Sequence, residues 1–121
     1  MSRVLLIEDD ILLGRHFERS LLSAGFDVQI CEHLVGVMDV VDSFGPDVIA
    51  TDILLTGSTA LPLLNELMSH DDLSKMPIIV ITSLADDITL DALRPYGVRA
   101  ILDKTSIHPN DLPASVRKVL P

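Results

Sequence analysis

Five apolar runs alternating with five amphipathic stretches predict an α/β fold: a five-stranded parallel sheet covered by helices on both faces, with right-handed crossovers. Three observations carry this prediction. Residues 4–7, 48–50 and 78–81 are continuously apolar, as strands buried on both faces are. The stretches between them place apolar residues at helical spacing. Four of the five runs end on polar residues with compatible chemistry: Glu8 and Asp9, Asp52, Thr82, and Lys104.

In chain order, the first run, Arg3-Val4-Leu5-Leu6-Ile7, stops at Glu8-Asp9-Asp10. A helix over 11–24 is expected, with Leu13, Phe17, Leu21 and Ala24 on one face, Asp10 as its cap and Gly25 as its stop. Residues 27–31 alternate as an edge strand does. Leu34, Val37, Met38 and Val41 mark a second helix, closed by Phe44-Gly45-Pro46. The central run, Val48-Ile49-Ala50-Thr51, ends on Asp52, and a loop is expected over 54–58. Thr59 is read as the cap of a third helix through His70, with Leu61, Leu64, Leu67 and Met68 inward and Pro62 tolerated in the first turn. After a solvated connection at 71–75 comes the most apolar strand, Pro77-Ile78-Ile79-Val80-Ile81. Asp86 or Asp87 is expected to cap a fourth helix that ends at Pro95 and Gly97. A fifth strand over 98–102 leads to Asp103-Lys104. Asn110 or Asp111 then caps a last helix whose Arg117 and Lys118 suit the negative end of its dipole.

The 121 residues suit one domain, 1–121, and 48% hydrophobic content with a mean hydropathy of +0.42 supports a packed core. Aromatics make up only 3%, so that core is built from Leu, Ile and Val. The net charge of −9 repels phosphate backbones and argues against nucleic acid as a direct partner. The single cysteine, Cys31, excludes an internal disulfide and reads as a small hydrophobe. No run is long enough to span a membrane, and cytoplasmic placement is the expectation.

In a parallel sheet the polar strand ends share one rim, the edge where ligands bind in open α/β folds. Asp52 alone has two readings, a turn or cap residue or a reactive carboxylate, and its neighbours at the rim decide between them. Three carboxylates packed there repel by about 4 kcal/mol per close pair at an effective dielectric near ~20. Lys104 alone cannot neutralise them, whereas a divalent cation can. All-oxygen ligation suits Mg2+, which uses only one or two carboxylates. Asp52 is then available to attack a phosphoryl group, with Lys104 and a Thr82 hydroxyl answering the transferred charge.

Leu5-Leu6-Ile7-Glu8-Asp9-Asp10, Pro46-Asp47-Val48-Ile49-Ala50-Thr51-Asp52, Pro77-Ile78-Ile79-Val80-Ile81-Thr82-Ser83 and Ala100-Ile101-Leu102-Asp103-Lys104 together resemble the receiver domain of bacterial two-component response regulators, over nearly the whole chain. The resemblance implies a flavodoxin-like, three-layer, doubly wound sheet of order 2-1-3-4-5. It implies Asp52 as phosphoacceptor, Asp9 as direct Mg2+ ligand, Glu8 reaching the metal through water and Leu54 offering a backbone carbonyl. Thr82 becomes the switch hydroxyl and Lys104 the phosphate partner. The implied partners are a histidine kinase or phosphotransfer protein, a downstream protein at the fourth-helix/fifth-strand/fifth-helix face, and a second copy in a homodimer. The implied activity is at most Mg2+-dependent self-phosphorylation and slow self-dephosphorylation.

Several positions depart from the family pattern. Thr56 and Ala60 stand where Pro and Gly are usual, so a different loop path is expected. The family's Lys-Pro pair is Lys104-Thr105, and a cis bond before a non-proline residue costs about 3–4 kcal/mol, so that bond is either trans or strained. Ile101 replaces a switch aromatic and has no polar tip. Leu54 and Leu84 flank the phosphoryl position with nothing to orient a water, which predicts a long-lived phosphorylated form.

Two rival functions follow. The departures at Thr56, Ala60, Ile101 and Thr105 favour a phosphorylation-independent interaction module, in which the Glu8/Asp9/Asp52/Thr82/Lys104 set would serve no purpose. An Asp-nucleophile phosphohydrolase would need an acid/base Asp two residues after Asp52, where Leu54 stands. His16, His33, His70 and His108 show no ligand spacing, and no Gly-rich phosphate loop follows the first strand.

Overall fold

The computed structural model describes residues 1–55 and 58–121, and of Ser58 the backbone only. Thr56 therefore lies outside the described residues. The main sheet holds β1 (Arg3–Ile7), β2 (Asp27–Cys31), β3 (Val48–Thr51), β4 (Ile78–Thr82) and β5 (Val98–Asp103), all parallel, in the order β2-β1-β3-β4-β5. This is the expected topology. The helices are α1 (Ile11–Ser23), α2 (Val37–Phe44), α3 (Leu61–Ser69), α4 (Leu90–Leu93) and α5 (Asp111–Val119).

The strands read as continuous apolar runs, yet their side chains alternate between two separate cores. Val4, Leu6, Val48, Ala50, Ile79 and Ile81 pack with Phe17 and Leu21 of α1 and Leu112 and Val116 of α5. Leu5, Ile7, Ile49, Ile78 and Val80 pack with Val37 and Val41 of α2, Leu63, Leu64 and Leu67 of α3, and Leu93 of α4. Covering both faces fixes the register, because a slip of one residue would exchange the two sets. Register breaks once, beside Ile78 and Ile79, where Arg99 is left without a partner across the ladder. The Arg99 guanidinium, through Nη2, donates to the Lys75 carbonyl at 3.3 Å.

Expectation and structure part at the helix ends. Residues 54–55 and 58–59 form a short antiparallel ladder where a loop was expected. Thr59 is held opposite Leu54 in that ladder, so it does not cap α3. The helix starts after Ala60, whose carbonyl accepts from Leu64 N at 3.1 Å, with Pro62 in its first turn. Leu63 rather than Met68 faces the core: Leu63, Leu64 and Leu67 form the buried stripe of α3, and at helical spacing Met68 falls at its margin, where it is exposed. Asp86 and Asp87 lie in a separate 3-10 turn. Thr89 caps α4 instead, its hydroxyl accepting from Ala92 N at 3.2 Å. That helix is a single turn, since Pro95 has no N–H to continue it. At α5, Asn110 occupies the cap position without a side-chain bond, while the Asp111 carboxylate accepts from His108 N at 2.8 Å. Asp10 caps α1 as expected, through Leu13 N at 3.1 Å. Gly45 ends α2 at φ 64, a conformation that would strain any side chain.

Because Thr89 and not Asp86 satisfies an orphan helix donor, Thr89→Ala is expected to cost about 1 kcal/mol, and Asp86→Ala less than about 0.5 kcal/mol. Urea unfolding of both variants reads the difference.

Candidate functional site

The strand ends converge through backbone bonds that carry each ladder one step beyond its last paired residue. Glu8 N donates to Cys31 O at 3.0 Å, Asp52 N to Ile7 O at 3.4 Å, and Lys104 N to Thr82 O at 3.0 Å. Glu8, Asp52, Thr82 and Lys104 therefore share one rim. The chain turns away in opposite directions after β1 and β3, so Glu8 and Asp52 flank the point where strand order reverses.

Lys104 organises the site. Its Nζ lies 2.6 Å from Asp52 Oδ2 and 2.6 Å from Glu8 Oε1. These are charge-assisted contacts between largely enclosed groups, the side chains being 16% exposed at Lys104, 10% at Asp52 and 2% at Glu8. The remaining carboxylate oxygens are also held. Asp52 Oδ1 accepts from Leu54 N at 3.1 Å, and Glu8 Oε2 from Asp10 N at 3.4 Å. Burial pushes the Glu8 carboxyl above its ordinary range. Lys104 and the Asp10 amide pull it back, and a hydrogen bond shared with the Asp9 carboxyl raises it again. Burial alone would lower the Lys104 ammonium, but Asp52 and Glu8 together outweigh it and hold the pKa above the ordinary lysine value.

Thr82 is 1% exposed, and its hydroxyl oxygen accepts from Leu84 N at 3.1 Å. Thr51 is packed, its hydroxyl donating to Asp52 O at 2.9 Å. Asp9 is half-buried. The Lys104–Thr105 peptide is trans. Sequence reasoning overlooked the turn that follows it: Asp103 Oδ1 accepts from both Thr105 N at 2.9 Å and Thr105 Oγ1 at 2.7 Å. The signal was an Asp with a hydroxyl residue two places on, which favours a side-chain-to-backbone turn. Those bonds hold the Asp103 carboxyl below its usual range. Ile101 is half-buried and packs on the α2–α3–α4 core. The four histidines are exposed, as expected, and Cys31 is half-buried, which raises its thiol pKa.

Among the described residues no three His, Cys, Asp or Glu side chains form a ready-made metal cage. The donor set still fits Mg2+. Its side-chain donors are hard carboxylate oxygens, and one ammonium among Glu8, Asp9 and Asp52 leaves two negative charges for one divalent cation. Mg2+ needs only one or two of those carboxylates and keeps water elsewhere.

The model of the response regulator receiver domain matches residues 4–117. This chain belongs to that family. Over 97 residues it is 30% identical to protein-glutamate methylesterase/protein-glutamine glutaminase 3 of Rhodospirillum rubrum, covering 77% of the chain and 25% of that protein. It is 28% identical to the probable transcriptional regulator ycf29 of Pyropia yezoensis over 98% of the chain and 53% of that protein. The receiver thus spans about half or less of the length of these curated relatives. Among solved structures, Vibrio cholerae chemotaxis protein CheY4 superposes with a TM-score of 0.86 at 20% identity, over 99% of both chains. Response regulator TrrA of Thermotoga maritima, solved in complex with Mg2+ and BeF, superposes at 0.82 with 20% identity, over 99% of this chain and all of that one. At such identities the likeness is one of fold. No helix among the described residues is long and apolar enough to cross a membrane.

Removing Lys104 leaves the Glu8 and Asp52 carboxylates facing each other in an enclosed rim. Lys104→Met is therefore expected to cost about 2–4 kcal/mol in metal-free buffer, and adding Glu8→Gln to recover a large part of it. Chemical unfolding of wild type, both single variants and the double variant closes the cycle.

Proposed function

We propose that this receiver is a phosphoacceptor switch: Asp52 takes a phosphoryl group from a histidine kinase or phosphotransfer protein in a Mg2+-dependent reaction, altering what the domain binds. The observation that carries this reading is the ammonium of Lys104 held within 2.6 Å of both Asp52 and Glu8 at one enclosed rim. An Asp52 serving only as a turn residue has no need of a cation brought from the far side of the sheet.

In the reaction an Asp52 carboxylate oxygen bonds to phosphorus as the donor's phosphorus–nitrogen bond breaks. The electron pair leaves with the imidazole, and the product is an acyl phosphate. Asp9 and Asp52 would hold the cation directly, with the Leu54 carbonyl and, through water, Glu8. When bound, Mg2+ supplies charge neutralisation at the phosphoryl oxygens. Lys104, whose ammonium lies 2.6 Å from Asp52, would pair with the incoming phosphoryl group, and the Thr82 hydroxyl, at the end of β4, would donate to it. Residues 1–121 act as one receiver unit, with a protein partner reading its state.

The departures at Ile101 and Thr105 support a second reading, an interaction module that works without phosphorylation. One measurement separates the two. Incubation with acetyl phosphate and Mg2+ is expected to add a single phosphoryl group by intact mass, absent in Asp52→Asn and without Mg2+. An unmodified wild-type chain would leave only the interaction module.

Decay of that species is the next expectation. The side chains of Leu54, 47% exposed, and Leu84, half-buried, offer no hydrogen bond to an attacking water. After removal of the donor, the phosphorylated mass is expected to persist for many minutes. Loss within seconds would contradict this.

A further inference from the structure

The net charge is distributed very unevenly. Nine of the eighteen acidic residues, and none of the nine basic ones, lie between Ser20 and Ser74, so that stretch accounts for the whole charge of −9. Three of the nine, Asp39 and Asp42 on α2 and Glu66 on α3, stand on two helices that cover the same face of the sheet. Between α2 and α3 a cavity of about 390 Å³ opens to solvent, with Leu34, Met38, Pro62 and Leu63 among its walls and Asp39 and Glu66 at its rim. Val35, between two wall residues, is 94% exposed. Among the described residues neither rim carboxylate has an ion-pair partner, and no Lys or Arg of the same stretch could supply one. Asp42, one helical turn beyond Asp39, adds a third exposed carboxylate on α2.

We infer that the α2–α3 groove docks a short cationic segment of a partner protein, one apolar side chain seated between the helices and flanking Lys or Arg residues meeting Asp39 and Glu66. Apolar walls alone would accept many occupants. The unneutralised rim selects among them, since it repels acidic segments and attracts basic ones. The rim is exposed, so each charge pair adds little affinity, and the field of the whole acidic stretch mainly speeds encounter. Binding is therefore strongly salt-dependent and needs the apolar anchor for specificity. The groove is formed by different residues from the phosphorylation rim, so the inference does not rest on that reading.

The test uses three short synthetic peptides: one Lys-rich with a single Leu, the same with Ser for Leu, and the same with Glu for Lys. Titrated into the 15N-labelled chain at about 20 mM salt, the first is expected to shift the amides of Leu34, Met38 and Leu63, and to lose most of its affinity at about 300 mM. The other two are expected to bind at least about tenfold more weakly. Asp39→Lys with Glu66→Lys is expected to weaken the first peptide about tenfold or more, and the milder Asp39→Asn with Glu66→Gln to act in the same direction. Asp71→Lys with Asp72→Lys makes the same charge change elsewhere in the acidic stretch and is expected to cost less than about threefold. Equal losses in both lysine pairs, indifference to the Leu, or shifts centred on another face would overturn the proposal.

Discussion

The rim depends on one side chain reaching across the sheet. Lys104 stands at the end of β5, while Asp52 and Glu8 stand at the ends of β3 and β1, two and three strands away. At about 4.8 Å between neighbouring strands, Glu8 and Lys104 are separated by roughly 14 Å of sheet. Only a long cationic side chain meeting an extended carboxylate can close that distance, and it must pass over the end of β4, where Thr82 sits. The order β2-β1-β3-β4-β5 and the site are therefore one arrangement. Any other order would change which carboxylates Lys104 can reach.

Such a contact is a poor way to stabilise a fold. Enclosing two carboxylates and an ammonium costs desolvation that their attraction only partly offsets, and the raised pKa of Glu8 is a sign of that cost. Stability has to come from elsewhere, and the two apolar cores provide it. Residues such as Leu5, Ile49 and Ile79 are fully buried, so the strands beneath the rim are held from both faces. The rim is the polar edge of a sheet whose two cores are apolar, and its desolvation cost is offset by their packing.

Most of this architecture was legible because its signals are local and repeated. Buried parallel strands are continuously apolar, and each ends where polarity begins, so the strands, and Glu8, Asp52, Thr82 and Lys104 at their ends, could be placed from residue order alone. The family resemblance added the strand order. Helix boundaries were read less well, because several residues could serve as the cap and tertiary contacts choose among them. Thr59 is a good cap chemically, but pairing opposite Leu54 engages it first. Asp86 and Asp87 were equally reasonable, yet Thr89 lies where a donor needs an acceptor. Which atoms touch at the rim was not legible either. That Lys104 holds Glu8 as well as Asp52 depends on side-chain reach across two intervening strands, which no sequence spacing encodes.

The turn after β5 shows how a local bond can govern a distant contact. Lys104 is fixed on one side by its backbone bond to Thr82 O, and on the other the chain is bent by Asp103 accepting twice from Thr105. Both Asp103 bonds are exposed, so water competes for them and each contributes little. That is small against the stability of the domain, but it acts on the one residue whose direction decides whether three strand ends share a charge. A side chain with several rotatable bonds keeps its aim only as well as its backbone is held. Asp103 and Thr105, which touch neither Asp52 nor Glu8, are thus part of what keeps the ammonium over the rim.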